Sequence, residues 1–225
     1  MKEKGCYQTI DEQKMVGLLD ICVVIPVRDN EKYLLEVFHG VDNQSLPPRE
    51  IVIVDSSSNN IISNLINEWN GKVPVKYIKI ESAYPGGARN IGVEMVESEW
   101  IALLDSTTVP EHDWLEKCAE TAIEKNADFV RGLTIFEADT YFKKLLRATT
   151  YGCKPYGTLP GSIVKRKIFE KSGGFIPSIR SSEDVEWIER IKSMGYKTDT
   201  VKDFVSTYYG LPGNLWLAIK KYYKF

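Results

Sequence analysis

A chain of 225 residues with 43% hydrophobic and 27% charged residues has the composition of one full-sized globular domain, which excludes fibrous and extensively disordered classes. Its 29 Lys and Arg nearly balance 31 Asp and Glu, so there is no global basic field and composition gives no nucleic-acid partner. Cys6, Cys22, Cys118 and Cys153 are widely spaced beside only two histidines, which argues against a zinc site or a disulfide framework and for reduced thiols, Cys22 being a buried strand residue.

Residues 1–20 carry scattered charges and no apolar run of signal-peptide length, and are expected to be an N-terminal extension of a protein that is not exported. Short apolar runs then recur at 21–27, 51–54, 75–80 and 100–104. Between them lie stretches with helical spacing: Tyr33, Leu34, Val37 and Phe38; Ile61, Leu65, Ile66 and Trp69; Ile91, Met95 and Val96. This alternation predicts successive βαβ units, and wholly apolar strands predict a parallel sheet covered on both faces. Further on, helices are expected over 114–125 and 141–148, a strand over 129–135 and a Gly/Pro-bearing loop over 151–161. A short strand over 162–164, a helical turn over 165–171 and a clear helix over 182–194 follow. No run of 18 apolar residues occurs, so no membrane-spanning helix is expected.

Ligands of open parallel sheets bind beyond the carboxyl ends of the strands. Those ends carry polar residues each time: Arg28-Asp29-Asn30, then Asp55 with Ser56, Ser57 and Ser58, then Gly86-Gly87-Ala88-Arg89-Asn90, then Asp105-Ser106-Thr107-Thr108. The glycines of the third segment let backbone approach a ligand at a helix start, and Arg89 adds a positive fork for phosphates or base. Its plain alternative is a Gly-rich turn with a surface arginine. It is not a P-loop, because no Lys-Ser/Thr follows Gly92, and the first strand ends in Pro26 rather than in a dinucleotide fingerprint. Asp55 and Asp105 also admit plain readings as turn or cap residues.

Five segments in order, VVIPVRDNEKYL (23–34), EIVIVDSSSNN (50–60), GGARNIGVEMVESEWIALLDSTT (86–108), LPGSIVKRKIFEKSGGF (159–175) and SEDVEWIERIKSMGYK (182–197), resemble the family-2 inverting glycosyltransferases. The resemblance implies a single α/β GT-A domain over 21–210, a mostly parallel central sheet flanked by helices. It further implies transfer of a hexosyl or N-acetylhexosaminyl group from a nucleotide-diphosphate sugar, by expectation a UDP-sugar, to an acceptor hydroxyl on a saccharide or lipid-linked molecule. It places Pro26, Val27, Arg28, Asp55, Arg89 and Asp105 at the nucleotide, with Ser56 where a second Asp is common. Gly161 and Ser162 fall in a loop near donor sugar and acceptor.

The same resemblance makes Asp184 the general base and Glu183 a neighbour contacting the acceptor. By local physics, Ser181 to Asp184 also reads as a capping box, and Trp187 and Ile188 read as core. Asp105-Ser106-Thr107 stands where D-x-D usually holds Mn²⁺ or Mg²⁺ through two carboxylates. Thr107 is neutral, which leaves two outcomes: a metal held more weakly through Asp105, phosphate oxygens and water, or a site without metal. The processive synthases' Gln-x-x-Arg-Trp motif is missing, so a single addition is expected. The alternative is a non-catalytic relative that binds nucleotide sugar and acts through partners. Residues 211–225 are amphipathic with lysines and aromatics, suiting either a membrane surface or a helix packed on the domain. The expected location is the cytoplasm, at the inner face of the membrane.

Overall fold

The run ICVVIPV forms β1 (Ile21–Val27), buried along its length apart from a half-covered Pro26. Alternate strand residues point to opposite faces, and here both directions meet apolar partners. Val23 and Ile25 join one core cluster with Phe38, Ile51 and Ile53, whereas Cys22 and Val24 join a second with Val52, Val54 and Trp187. A sheet apolar on both faces needs a layer of helices on each. A computed structural model describes residues 19–222, so the expectations for residues 1–18 and the last three residues lie outside the described residues.

Strands β2 (Glu50–Asp55), β3 (Val75–Lys79) and β4 (Trp100–Leu103) run parallel to β1 in the order β3-β2-β1-β4. Helices α1 (Leu34–Asp42), α2 (Ile61–Glu68) and α3 (Pro85–Glu94) connect them, as the spacing predicts. Pro85 occupies the first turn of α3, so Gly86 and Gly87 lie inside the helix rather than ahead of it. At Gly92 the helix sits so close to the sheet that a Cβ would lie 2.4 Å from Val24 Cγ1.

Beyond β4 the sheet becomes mixed. β7 (Tyr156–Lys165) runs antiparallel to β4 and to β6 (Phe129–Phe136), and β9 (Ser206–Tyr208) and β5 (Thr108–Pro110) complete that edge. β8 (Thr198–Thr200) pairs with the start of β6. The remaining helices are α4 (Trp114–Glu124), α5 (Tyr141–Thr150), α6 (Arg166–Ser172), α7 (Glu183–Ser193) and α8 (Leu215–Tyr222). The expected α/β architecture is present: β1 to β4 are all parallel, and the second half combines antiparallel pairs with the parallel pairing of β6 to β8 and β9.

Three details differ from the sequence expectations. The loop expected over 151–161 is in its second half strand: β7 passes through Pro160 and Gly161 by a bulge, where the register against β6 shifts between Val130 and Gly132. Gly161 adopts φ +89, and Ser162 Oγ repairs the ladder by accepting from the Gly132 N–H at 3.0 Å and donating to Thr158 O at 2.8 Å. β5, β8 and β9, three residues each, carry too little pattern to be expected from sequence. The capping box does not form either: Ser182, at φ 67, is the N-cap of α7 and its side chain makes no capping bond.

Candidate active site

The parallel strands end side by side, so their polar caps meet. The Asp29 N–H donates to Ser57 Oγ at 2.8 Å and the Ser58 N–H to Asp29 Oδ1 at 3.0 Å, joining the ends of β1 and β2. Asn30 Nδ2 reaches Ser106 Oγ at 3.5 Å, joining β1 to the end of β4. Arg28 is exposed at this edge, Pro26 half-covered and Val27 buried. Asp55 is fully buried: Oδ1 accepts from the Ser57 N–H at 2.7 Å, and Oδ2 accepts from Tyr77 Oη at 2.8 Å and Lys79 Nζ at 2.9 Å. Burial alone would raise its pKa, but the bonds from Ser57, Lys79 and Tyr77 outweigh it and hold the carboxyl below the ordinary aspartate value. Its reading as a turn residue is therefore accurate at the Ser57 N–H. As a direct ligand of a base it presents no exposed surface here.

Arg89 is no surface arginine. At 4% exposure it lies beneath the site, donating from Nη2 to Asp105 Oδ1 at 2.7 Å and from Nη1 to Glu183 Oε1 at 3.0 Å, with its guanidinium 5.7 Å from the centre of the Phe175 ring. Its Nε, also buried, has no hydrogen-bond partner. Burial would lower the Arg89 pKa, but Asp105 and Glu183 reverse the effect and keep it charged. Burial pushes Glu183 above the ordinary glutamate value, with Arg89 opposing. Glu183 thus faces inward as a partner of Arg89. The left-handed turn at Ser182 starts α7 so that Glu183 is buried while Asp184 stays half-exposed.

A cavity of about 390 Å³ opens above this pair of ion pairs. Asp105, at the end of β4, and Asp184, in the first turn of α7, both line it. Its remaining wall includes Thr158 and Pro160 from β7, Arg131 from β6, and Tyr151 and Tyr208. Gly161 and Ser162, expected in a loop at the sugar, are instead buried inside the β7 bulge, and their neighbours on the strand form the wall. Trp187 and Ile188 are core, as expected. Tyr208 and Arg131 went unnoticed in the sequence. Tyr208 lies on a three-residue strand, and Arg131 alternates with buried neighbours in β6, a period-2 signal that marks it as facing away from Val130.

Hard divalent cations take about six oxygen ligands. Among the described residues no group of three or more His, Cys, Asp or Glu stands together, and Asp105 spends Oδ1 on Arg89. For such an ion Asp105 could offer its other carboxylate oxygen, with Thr107 buried beside it.

A parallel half-sheet with polar strand ends, a carboxylate at the end of β4 and a second one across a shared cavity define the architecture of a GT-A glycosyltransferase. The chain belongs to Glycosyl transferase family 2, whose model matches residues 22–185. Glycosyltransferase AglE of Haloferax volcanii is 23% identical over 85% of this chain and 67% of its own. The putative teichuronic acid biosynthesis glycosyltransferase TuaG of Bacillus subtilis is 26% identical over 89% of this chain and 84% of its own. The crystal structure of S. aureus TarS 1-349 in complex with UDP-GlcNAc superimposes with a TM-score of 0.68 at 16% identity, covering 87% of this chain and 60% of that one. The chain therefore spans less than two thirds of that structural neighbour and shares its fold. No described helix is long and apolar enough to cross a membrane.

Proposed function

We propose that this glycosyltransferase takes its sugar from a UDP-sugar and transfers it with inversion to a hydroxyl of a saccharide or lipid-linked acceptor, one sugar per encounter. The observation that carries the reading is the placement of Asp105 and Asp184 on one cavity. Inversion requires the attacking hydroxyl and the departing diphosphate to lie on opposite sides of the anomeric carbon. A carboxylate within reach of the hydroxyl then accepts its proton as the new bond forms. Asp184 takes that role, half-exposed on the rigid start of α7. Asp105 takes the diphosphate end. Its remaining oxygen would be the protein's ligand to a Mg²⁺ or Mn²⁺ ion, which when bound would supply positive charge for the leaving group.

The structural neighbour that binds UDP-GlcNAc supports a uridine donor. The relative described by teichuronic acid biosynthesis supports a cell-surface polysaccharide or glycolipid product made at the cytoplasmic face of the membrane. On α8, Leu215, Trp216 and Ile219 are exposed beside Lys220, which supports contact with that membrane surface. The test is transfer from UDP-sugars to candidate acceptors, with product configuration read by NMR. A β-linked product from an α-linked donor, lost in Asp184→Asn, is expected. Tight UDP-sugar binding with no turnover under any donor overturns the reading in favour of a non-catalytic binder.

A further inference from the structure

Position 107, where the family's second carboxylate usually stands, is occupied by a small set of contacts rather than left bare. The Tyr209 N–H donates to Thr107 O at 2.9 Å, and β9 pairs Tyr208 with Thr108, which lays Tyr208 over the Asp105-Ser106-Thr107 turn. Burial raises the pKa of the Tyr208 hydroxyl, and the charge of Asp105 adds to the rise. Lys221, one residue from the end of α8, donates from Nζ to Tyr208 Oη at 2.5 Å and to Gly210 O at 2.8 Å, with Nζ 5.2 Å from the centre of the Tyr208 ring. Burial lowers the Lys221 pKa, with Tyr151 and Asp105 opposing. Ala218, buried one turn earlier, and Asn214, whose Oδ1 accepts from the Leu217 N–H at 2.9 Å, hold α8 in this position.

A D-x-D motif concentrates positive charge at the diphosphate through a metal held by two carboxylates. Here one carboxylate is replaced by a neutral hydroxyl, and a lysine is delivered to the same turn from the far end of the chain. We propose that Lys221 contacts the donor's diphosphate and neutralises charge on it as UDP departs, taking over part of the work of the missing carboxylate's metal. This rests on the UDP-sugar reading above. In the transfer step the acceptor oxygen forms its bond to the anomeric carbon and the acceptor proton passes to Asp184. The bond from that carbon to the β-phosphate oxygen breaks with its electron pair leaving on UDP. In this step Lys221 exchanges no proton and donates hydrogen bonds to the phosphate oxygens. Preorganised cations aimed at developing negative charge lower such barriers without proton transfer of their own.

Calorimetric titration of UDP and of uridine, in EDTA and again in Mn²⁺, into the wild type, Lys221→Gln and Lys221→Arg tests this. In EDTA, Lys221→Gln is expected to weaken UDP binding about ten-fold, the scale of one charge-assisted hydrogen bond. Lys221→Arg is expected to recover most of that loss, and uridine affinity to stay the same in all three proteins. Equal UDP affinity in the wild type and Lys221→Gln overturns the proposal and leaves the donor reading standing. An equal loss for uridine and UDP also overturns it, assigning Lys221 to packing. A wild type that binds neither ligand sinks the donor reading and this inference with it.

Discussion

Asp105 and Glu183, 78 residues apart in sequence, are held by the two ends of one buried guanidinium, at 2.7 and 3.0 Å from Arg89. The turn after β4 that carries Asp105 and the helix that carries Asp184 are thereby tied through α3. Removing one partner of a buried ion pair strands the other charge, typically at a cost of about 3–5 kcal/mol. Arg89→Met is therefore expected to lower stability by about that amount in urea titration. Arg89→Lys, which lacks the fork, is expected to fold and bind uridine while kcat falls about 100-fold from misplacement of Asp184. Wild-type kcat in Arg89→Lys would contradict this coupling.

Asp184 should matter to chemistry and little else. It is half-exposed, and its Oδ1 accepts from the neighbouring Val185 N–H at 2.9 Å. Asp184→Asn is expected to melt near the wild-type temperature and to bind UDP normally, while kcat drops by about 100- to 10,000-fold, the range for loss of a general base. Comparing calorimetric UDP binding with transfer rate separates the two effects.

The proposed divalent dependence should respond to position 107. Thr107→Asp restores a second carboxylate beside Asp105, adding a hard oxygen ligand. The Mn²⁺ concentration giving half-maximal transfer is expected to fall about ten-fold. An unchanged or higher concentration shows that the turn around Tyr208 does not admit the ion.

Acid sensitivity should track Asp55. Its folded pKa lies below the ordinary value of 3.8, so its stabilising contribution is present above that pH and is lost as pH falls through the folded value. Asp55→Asn is accordingly expected to be less stable than wild type by about 1–3 kcal/mol at pH 7. The gap should close as pH falls below 3.8 toward the folded value. Urea midpoints at the two pH values give the measurement.

The β7 bulge should tolerate no side chain. A Cβ on Gly132 would sit 2.3 Å from Gly161 O, and on Gly161, already at φ +89, 3.0 Å from Ser206 Oγ. Gly161→Ala is expected to cost about 1–3 kcal/mol from the strained backbone alone. Gly132→Ala should cost more, because its clash is with backbone. Thermal melts of both variants rank them.

Much of this was legible in the sequence where a single physical rule decided the outcome. Apolar runs at 21–27 and 51–54 became doubly buried parallel strands, and their polar ends met at one edge. Asp105 and Asp184 followed from motif positions and do share a cavity. The sequence was silent wherever tertiary geometry overrode local preference. Gly157, Pro160 and Gly161 carry turn chemistry, yet Ser162 and Trp114, whose Nε1 donates to Gly161 O at 2.7 Å, hold them in a strand. Glu183 looked like a cap charge and is a buried counter-ion, because only the fold reveals Arg89 beneath it.

The wall facing Asp184 is built from a continuous ladder, not from a hanging loop. Thr158 pairs with Gly132 and Tyr156 with Thr134, so this part of the cavity wall is as fixed as the sheet itself. Diversification of this enzyme toward other acceptors is thereby confined to exchanging side chains at positions such as 131, 156 and 158. An inserted residue there would invert the facing of every side chain up to the bulge, turning the cavity lining into core and the core into lining.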